Sequence, residues 1–353
     1  MHIAVLGAGA MGSWFGGLLA MRNAASSSAI AAENIAAENI AADTKAPEYS
    51  SHGNRTSDST ASDKSVRLIT TNQAHRDAIT QQGLRIRSAD KQHTIAVEAI
   101  SPYQMTTKNS TKIDLILVLT KSFQTKEALS SIANVINDNT HVLSLQNGLG
   151  NAEAMSSLIP LDRIWVGVSM VPADKVAPGL VESKGHGSSY FGNAANENSQ
   201  PMSKRILDTF TQADIELHHD VNIHARIWEK VAFNSGMNAL CALSHGRPGA
   251  IGQSNGAKSL AQRTANEVAL VASAQQVEVD LKKVFDMIDL SCTKHSDHIP
   301  SMLQDLLSQR RTEVDAINGA VAKIGEACGV PTPINDTLAT LVRLAEISHQ
   351  KYG

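Results

Sequence analysis

"MHIAVLGAGAMGSWFGGLLA", residues 1–20, decides the fold. A short apolar run, Ile3 to Leu6, leads into Gly7, Gly9 and Gly12, and these lead into an apolar stretch with helical spacing. Strand, glycine turn and helix, in that order, suit a bound pyrophosphate. The glycines permit a tight turn and close approach of backbone to phosphate, and the helix N-terminus offers free N–H groups to the anion. The spacing G-x-G-x-x-G alone is a weak signal, and the strand before it and helix after it supply the specificity. Gly7, Ala8, Gly9, Ala10, Met11 and Gly12 are therefore the candidate cofactor-binding turn of a Rossmann-type α/β domain.

Outward from this unit the pattern breaks. Residues 24–64 are rich in Ala, Ser, Asn and Asp, have few large hydrophobes and contain the tandem repeat "IAAENIAAEN" at 30–39. Such a segment buries too little apolar area to form a core element and reads as a flexible surface insertion. "VRLIT" at 66–70 is the second strand, with a helix expected over 73–82. The end of that strand should read the cofactor ribose, an acid favouring NAD and an arginine NADP. Here it reads Thr70, Thr71, Asn72, with Arg67, Arg76 and Lys64 the nearest cations.

"DLILVLTKSFQTKEAL" (114–129) carries a continuous apolar run of the kind buried on both faces of a parallel sheet, and Lys121 stands just beyond its end. "HVLSLQNGLG" (141–150) repeats the arrangement with Asn147 and Gly148. Ligands of open α/β sheets bind outside the carboxyl ends of the strands, so the glycine turn, Lys121 and Asn147 should converge on one crevice. Singly, Lys121 also reads as an exposed helix-start lysine and "NG" as a plain turn. Further strands are expected at 164–171, 180–184, 188–192 and 215–219, with a helix near 203–213. After Asp220 the pattern is helical, near 222–243, 257–276, 280–289, 301–327 and 334–348. The expected division is therefore 1–220, a dinucleotide-binding domain, and 221–353, a helical substrate domain.

Within the helical half, "KVAFNSGMNAL" (230–240) aligns Lys230, Asn234 and Asn238 on one face, because residues four apart stack along a helix. A solvated polar stripe is the ordinary alternative. In "SMLQDLLSQRRTEVDAING" (301–319), Glu313 borders an apolar stripe of Val314, Ile317, Val321, Ile324 and Cys328; it reads either as a partly buried site carboxylate or as a salt-bridge partner of Arg310 or Arg311.

These motifs, "GAGAMG", "LTKSFQ", "QNGLG", "EKVAFNSGMNAL" and "SMLQDLLSQRRTEVDAING", resemble in order those of the ketopantoate reductases, or 2-dehydropantoate 2-reductases, over nearly the whole chain outside 24–64. The resemblance implies a Rossmann domain holding NADPH, an all-helical second domain and a 2-ketoacid in the cleft between them. Position by position, Gly7 to Gly12 would hold the pyrophosphate, with Lys121, Asn147 and Ala173 also lining the cofactor site. Lys230 matches the proton donor, Asn234, Asn238 and Ser301 match substrate-binding positions, and Glu313 matches the acid that contacts substrate or cofactor hydroxyls. The family's arginine after the second strand is absent, and Asn72 stands there instead.

The chemistry is coherent on its own terms. Hydride transfer to a ketone leaves an alkoxide that needs a proton and positive potential together, and a lysine whose pKa is lowered by burial supplies both. Asparagines suit a hydroxy acid because each offers donors and an acceptor without charge. Composition agrees: 353 residues at 42% hydrophobic can fill two domains, and a net charge of −3 with interspersed signs gives no basic stripe for nucleic acid and no polybasic membrane anchor. Cys241, Cys292 and Cys328 are odd in number and widely spaced, which suits a reducing compartment. A strand beginning near His2 leaves no room for a signal peptide, and no apolar run is long enough to span a bilayer, so a cytoplasmic enzyme is expected. "HHDVNIH" (218–224) and "KHSDHIP" (294–300) hold ligand-type residues without a recognised metal spacing, so no metal is expected. Two other readings stay open: the same reduction on another branched 2-ketoacid, and a nicotinamide-binding redox sensor without turnover. A homodimer is also open.

Overall fold

The structure is a computed structural model describing residues 1–22, 65–88, 91–106, 112–183, 187–195 and 200–352. The expected insertion at 24–64 lies outside the described residues. Alternation along the first strand, β1 (Ile3–Leu6), sets the layers. Ile3 and Val5 enter one core with Trp14, Phe15 and Leu19 of helix α1, whose described part spans 10–22. Ala4 and Leu6 enter a second core on the opposite face with Leu129, Ile132 and Met155. All four β1 side chains are buried, as expected of a strand covered on both faces.

The remaining elements of the first half are β2 (Val66–Ile69), α2 (Gln73–Gln82), β3 (Leu84–Ser88), β4 (Lys91–Ile95), β5 (Glu98–Ile100), β6 (Leu115–Val118), α3 (Thr125–Ser130), β7 (His141–Ser144), α4 (Asn151–Ser156), β8 (Ile164–Ser169), β9 (Asp174–Ala177), β10 (Leu180–Ser183), β11 (Ser189–Asn193), α5 (Gln200–Thr211) and β12 (Leu217–His219). The main sheet runs β12-β11-β8-β7-β6-β1-β2-β5, and from β5 to β8 every neighbouring pair is parallel. The chain leaves β1 toward β2 and later returns to β6 on β1's other side. This reversal makes the crevice at the carboxyl ends of β1 and β6 the topological switch point.

A four-stranded sheet, β4-β3-β10-β9, stands beside α1. A Cβ on Gly17 of α1 would come within 2.4 Å of Ile86 on β3, so the helix lies directly on this sheet. Sequence periodicity assigns no element over 84–100. β4 is exposed along its first four residues and β3 mixes arginines with apolar positions, so neither run shows a strong hydrophobic period.

The second half is helical: α6 (Ile223–Ser244), α7 (Pro248–Gln253), α8 (Asn255–Ala274), α9 (Leu281–Thr293), α10 (Ser301–Leu307), α11 (Asn318–Cys328) and α12 (Pro333–Tyr352). The central helix α6 packs on α8, α9, α10 and α12, and also touches β8 and β11 of the main sheet. One expectation is corrected here. Residues 301–327 are not one helix; α10 and α11 are separated by a folded segment, 308–317, that contains Glu313. Gln309 takes a left-handed φ of 51° and Arg310 N–H turns back to the Asp305 carbonyl at 2.8 Å. Thr312 N–H then donates to Glu346 Oε1 of α12 at 2.7 Å, a tertiary bond that a continued helix would forfeit. Glu313 is therefore presented by a bend, not by a helical stripe. Among the described residues no helix is long and apolar enough to cross a membrane, and no group of three or more His, Cys, Asp or Glu is placed to hold a metal ion.

Candidate functional site

The strand register aligns the site. Leu6 of β1 pairs with Val118 of β6, Val118 with Ser144 of β7, and Ser144 with Val166 of β8. Three residues beyond these partners stand Gly9, Lys121, Asn147 and Ser169, all leaving the same edge of the sheet. Gln146 ties the central ends together, its Nε2 donating to Thr120 O at 2.8 Å and its Oε1 accepting from Ser144 Oγ at 2.9 Å.

Each glycine of the turn has its own reason. Gly7 has φ +96°, and a Cβ there would lie 2.4 Å from Thr120 N in the turn after β6. Gly12 sits in α1 so close to the turn that a Cβ would lie 2.2 Å from the Gly7 carbonyl. Gly9 is exposed, and the space a Cβ would occupy there is open for 4 Å around. An open backbone, at a helix start, at the switch point and flanked by two glycines that tolerate no side chain, fits the pyrophosphate of a dinucleotide. Ala8 is buried, and Ala10 and Met11 open the helix at intermediate exposure.

The end of β2 is less permissive than its sequence implied. The Asn72 side chain caps α2, accepting from His75 N–H at 2.9 Å, and Arg67 is paired with Glu98 at 2.7 Å. Arg76, whose Nη1 donates to Thr70 O at 2.8 Å, is the cation held at this strand end. Lys64 lies outside the described residues.

Across the cleft, α6 carries Lys230, Asn234 and Asn238 in successive turns. Lys230 Nζ donates to the Ser169 carbonyl at 2.6 Å, which holds its ammonium over the end of β8. Burial lowers its pKa to about 8, and the negative charge of Glu313 opposes part of that shift. Asn234 and Asn238 are each only 6% exposed, and their side-chain amides bond to no other described residue while keeping some access to solvent. Amides so placed are free to hydrogen-bond a ligand or water that enters beside them.

Lys121 behaves differently from Lys230. Its Nζ lies 2.6 Å from Asp305 Oδ2 of α10 and 3.5 Å from Glu313 Oε2. Burial alone would lower its pKa, but the two carboxylates outweigh that and hold it above the ordinary lysine range. Two lysines in one cleft are thus driven apart: the pKa of Lys121 is raised by its carboxylates and that of Lys230 is lowered by burial to about 8. Glu313 Oε1 also accepts from Ser122 N–H at 3.0 Å, so this carboxylate is anchored to the loop after β6. It pairs with neither neighbouring arginine: Arg310 is held by Asp305 and Arg311 by Asp315.

The segment bearing Glu313 is also docked on the end of β7. Leu149 N–H donates to Ala316 O at 2.8 Å, and a Cβ on Gly148 would lie 2.5 Å from that oxygen. Ser301 is exposed at the first turn of α10, one helical turn before Asp305. Ala173 precedes β9 and packs against the core that contains α1. Asp305, 4% exposed at its side chain, is the site residue that sequence reading did not single out. Its spacing of four from Ser301 was the available signal, while its partner Lys121 lies 184 positions away.

An open, mostly parallel sheet with a glycine turn at its switch point, faced by a lysine of lowered pKa and by amides free to bond a ligand, is the arrangement expected of a dinucleotide-dependent oxidoreductase. Comparison with known proteins narrows the class. Residues 58–196 match the family described as ketopantoate reductase PanE/ApbA, and residues 222–346 match the ketopantoate reductase PanE/ApbA C terminal. The 2-dehydropantoate 2-reductase of Streptococcus pyogenes serotype M18 is 30% identical over 273 residues, covering 77% of this chain and 87% of the relative. That of Halobacterium salinarum is 28% identical over 281 residues, covering 80% and 91%. Among solved structures, D-mandelate dehydrogenase with NADH and anilino(oxo)acetate superposes with a TM-score of 0.82 at 28% identity, covering 99% of both chains. The 2-dehydropantoate 2-reductase of Geobacter metallireducens gives 0.80 at 25% identity, covering 98% of this chain and all of the other. The chain belongs to the ketopantoate reductase family.

Proposed function

We propose that this protein reduces 2-dehydropantoate to pantoate with NADPH, serving pantothenate and coenzyme A synthesis, with Lys230 as proton donor. The observation that carries this reading is the Lys230 ammonium, half-buried at the carboxyl edge of the sheet with its pKa lowered to about 8. When bound, the reduced nicotinamide supplies the hydride. The turn Gly7–Gly12 binds the dinucleotide phosphates through its open backbone. Lys121 and Asn147 flank the same crevice from the ends of β6 and β7, with Ala173 on its border. Lys230 gives its proton to the oxygen that was the ketone, leaving a neutral amine and a hydroxy acid, and re-protonates from solvent. The Ser169 carbonyl aims the ammonium, and Glu313 keeps enough of it protonated near neutrality. Asn234, Asn238 and Ser301 take the substrate's carboxylate and hydroxyl groups, which replace the partners these amides lack within the protein.

NADPH rests on the family resemblance and on Arg76, a cation held at the end of β2. A second reading, NADH with a bulkier 2-ketoacid, is favoured by Asn72 being committed as a helix cap and by the likeness to an NADH-bound D-mandelate dehydrogenase. The test is a panel of 2-dehydropantoate, other branched 2-ketoacids and an aryl 2-ketoacid, each followed by loss of reduced-nicotinamide absorbance with NADPH and with NADH. The proposal expects 2-dehydropantoate with NADPH to give the highest kcat/KM. An aryl substrate with NADH leading the panel would replace it by the second reading, and no turnover on any member would reject the enzyme.

A further inference from the structure

The buried histidine behind the glycine turn belongs to no part of the chemistry above. His75, in the first turn of α2, is fully buried, and both ring nitrogens are engaged. Gly179 N–H, in the turn between β9 and β10, donates to Nδ1 at 3.0 Å. A backbone N–H can only donate, so Nδ1 is the bare nitrogen and Nε2 carries the proton. Nε2 lies 2.9 Å from Ser13 Oγ, and the Ser13 hydroxyl in turn donates to Ala8 O at 3.3 Å. Ser13 is itself completely buried. The result is one directed chain: Gly179 N–H to His75, His75 to Ser13, Ser13 to Ala8.

Its last acceptor gives the chain a bearing on the cofactor. Ala8 C=O and Gly9 N–H are two ends of one planar peptide unit, and the Gly9 N–H donates to the Gly7 carbonyl at 2.7 Å, so Ser13 at one end and Gly7 at the other pin this peptide and with it the shape of the turn. Gly9 is the exposed residue of the turn, with open space above it. The Ala8 carbonyl lies ahead of the first helical hydrogen bonds, which begin with Ser13 N–H donating to Gly9 O at 3.0 Å, so the helix itself does not orient it. Burial, seconded by the charge of Lys175, pushes the His75 pKa down to about 4, which keeps the ring neutral and the chain in one direction at ordinary pH.

We propose that His75, acting through Ser13, is a positioning residue for the dinucleotide: it fixes the Ala8–Gly9 peptide so that the turn is preorganised for the pyrophosphate. This rests on the reading that the glycine turn holds a nicotinamide dinucleotide. Preorganisation of a binding backbone appears as affinity, because an unheld peptide must be ordered when the ligand arrives. The effect therefore falls on cofactor binding and spares the ketoacid side of the cleft.

Titration of wild-type protein and of Ser13→Ala, His75→Gln and His75→Asn with NADPH and with NADH, by nucleotide fluorescence, tests this, accompanied by circular dichroism and steady-state kinetics. Ser13→Ala is expected to weaken the Kd of the preferred dinucleotide about five- to twentyfold, with kcat at saturating cofactor and KM for the ketoacid within about twofold. His75→Gln places an amide N–H where Nε2–H stands and is expected to restore binding to within about threefold of wild type. His75→Asn reaches only toward Gly179 and should bind as weakly as Ser13→Ala, which a merely structural role would not predict. The proposal is overturned if folded Ser13→Ala and His75→Asn bind within twofold of wild type, or if His75→Gln and His75→Asn lose affinity equally. Wild-type protein that binds neither dinucleotide overturns the cofactor reading and this proposal together, whereas normal wild-type binding with unaltered variants overturns this proposal alone.

Discussion

Lys230 and Lys121 show how one residue type is given opposite electrostatic surroundings within a single site. Lys121 is flanked by Asp305 and Glu313 and stays charged. Lys230 has a carbonyl for a partner and feels Glu313 only at longer range, so desolvation dominates and its pKa drops to about 8. The sign of the pH dependence follows from the proposed role: with Lys230 as proton donor, reduction needs the protonated form, which is lost as pH rises through that value. For ketoacid reduction kcat/KM is expected to be flat below about pH 8 and to fall about tenfold per pH unit above it. Oxidation of the hydroxy acid, which needs the neutral amine, should show the mirror-image profile. Initial rates between pH 6 and 10 measure both limbs, and a reduction rate that rises across pH 8 would contradict the assignment.

At the scale of elements, α6 is the part of the site most legible in sequence. A lysine and two asparagines four apart can only stack along one helical face, and α6 carries them so. β1, its glycine turn and α1 were legible too, because the apolar run, the turn residues and the helical period all agree. The bend at Glu313 was not. Its departure from helix depends on a left-handed Gln309 and on a bond from Thr312 to Glu346, a contact set by tertiary packing. The β3–β4 strands were missed because short, half-exposed strands carry little periodic signal, and Asp305 because the partner that places it in the site, Lys121, lies 184 positions away. For α6 the expected consequence concerns substrate. Asn234→Ala and Asn238→Ala should each raise KM for the ketoacid about tenfold or more while leaving the dinucleotide Kd within about twofold, since one hydrogen bond to a charged group contributes about 1.5–3 kcal/mol. Steady-state kinetics with each substrate varied in turn would check this.

For the whole molecule, one group of polar contacts between the two halves gathers at the candidate site, beside the bonds from Lys230 to Ser169 and from Gln304 to Asp174. Lys121, Ser122 and Leu149 of the sheet half meet Asp305, Glu313 and Ala316 of the helical half. Part of the hold between the two halves therefore runs through the candidate site, and damage to it should appear in stability and turnover together. Asp305→Ala leaves Lys121 with Glu313 alone and removes the partner of Arg310. The expected cost is about 1–3 kcal/mol, the range for a buried charge-assisted bond whose partner keeps some access to water. Urea unfolding measures it, and a parallel fall in kcat/KM would show that docking and chemistry share these residues.

The central claim is that Lys230 acts in proton transfer and not in holding the cofactor. Lys230→Ala, compared with wild type for dinucleotide Kd and for ketoacid turnover in the same preparation, tests it most directly. The account predicts a Kd within about threefold of wild type and a turnover reduced by about 10²–10⁴, the range that a positioned general acid contributes. Turnover within a few-fold of wild type, with the cofactor still bound, would contradict it.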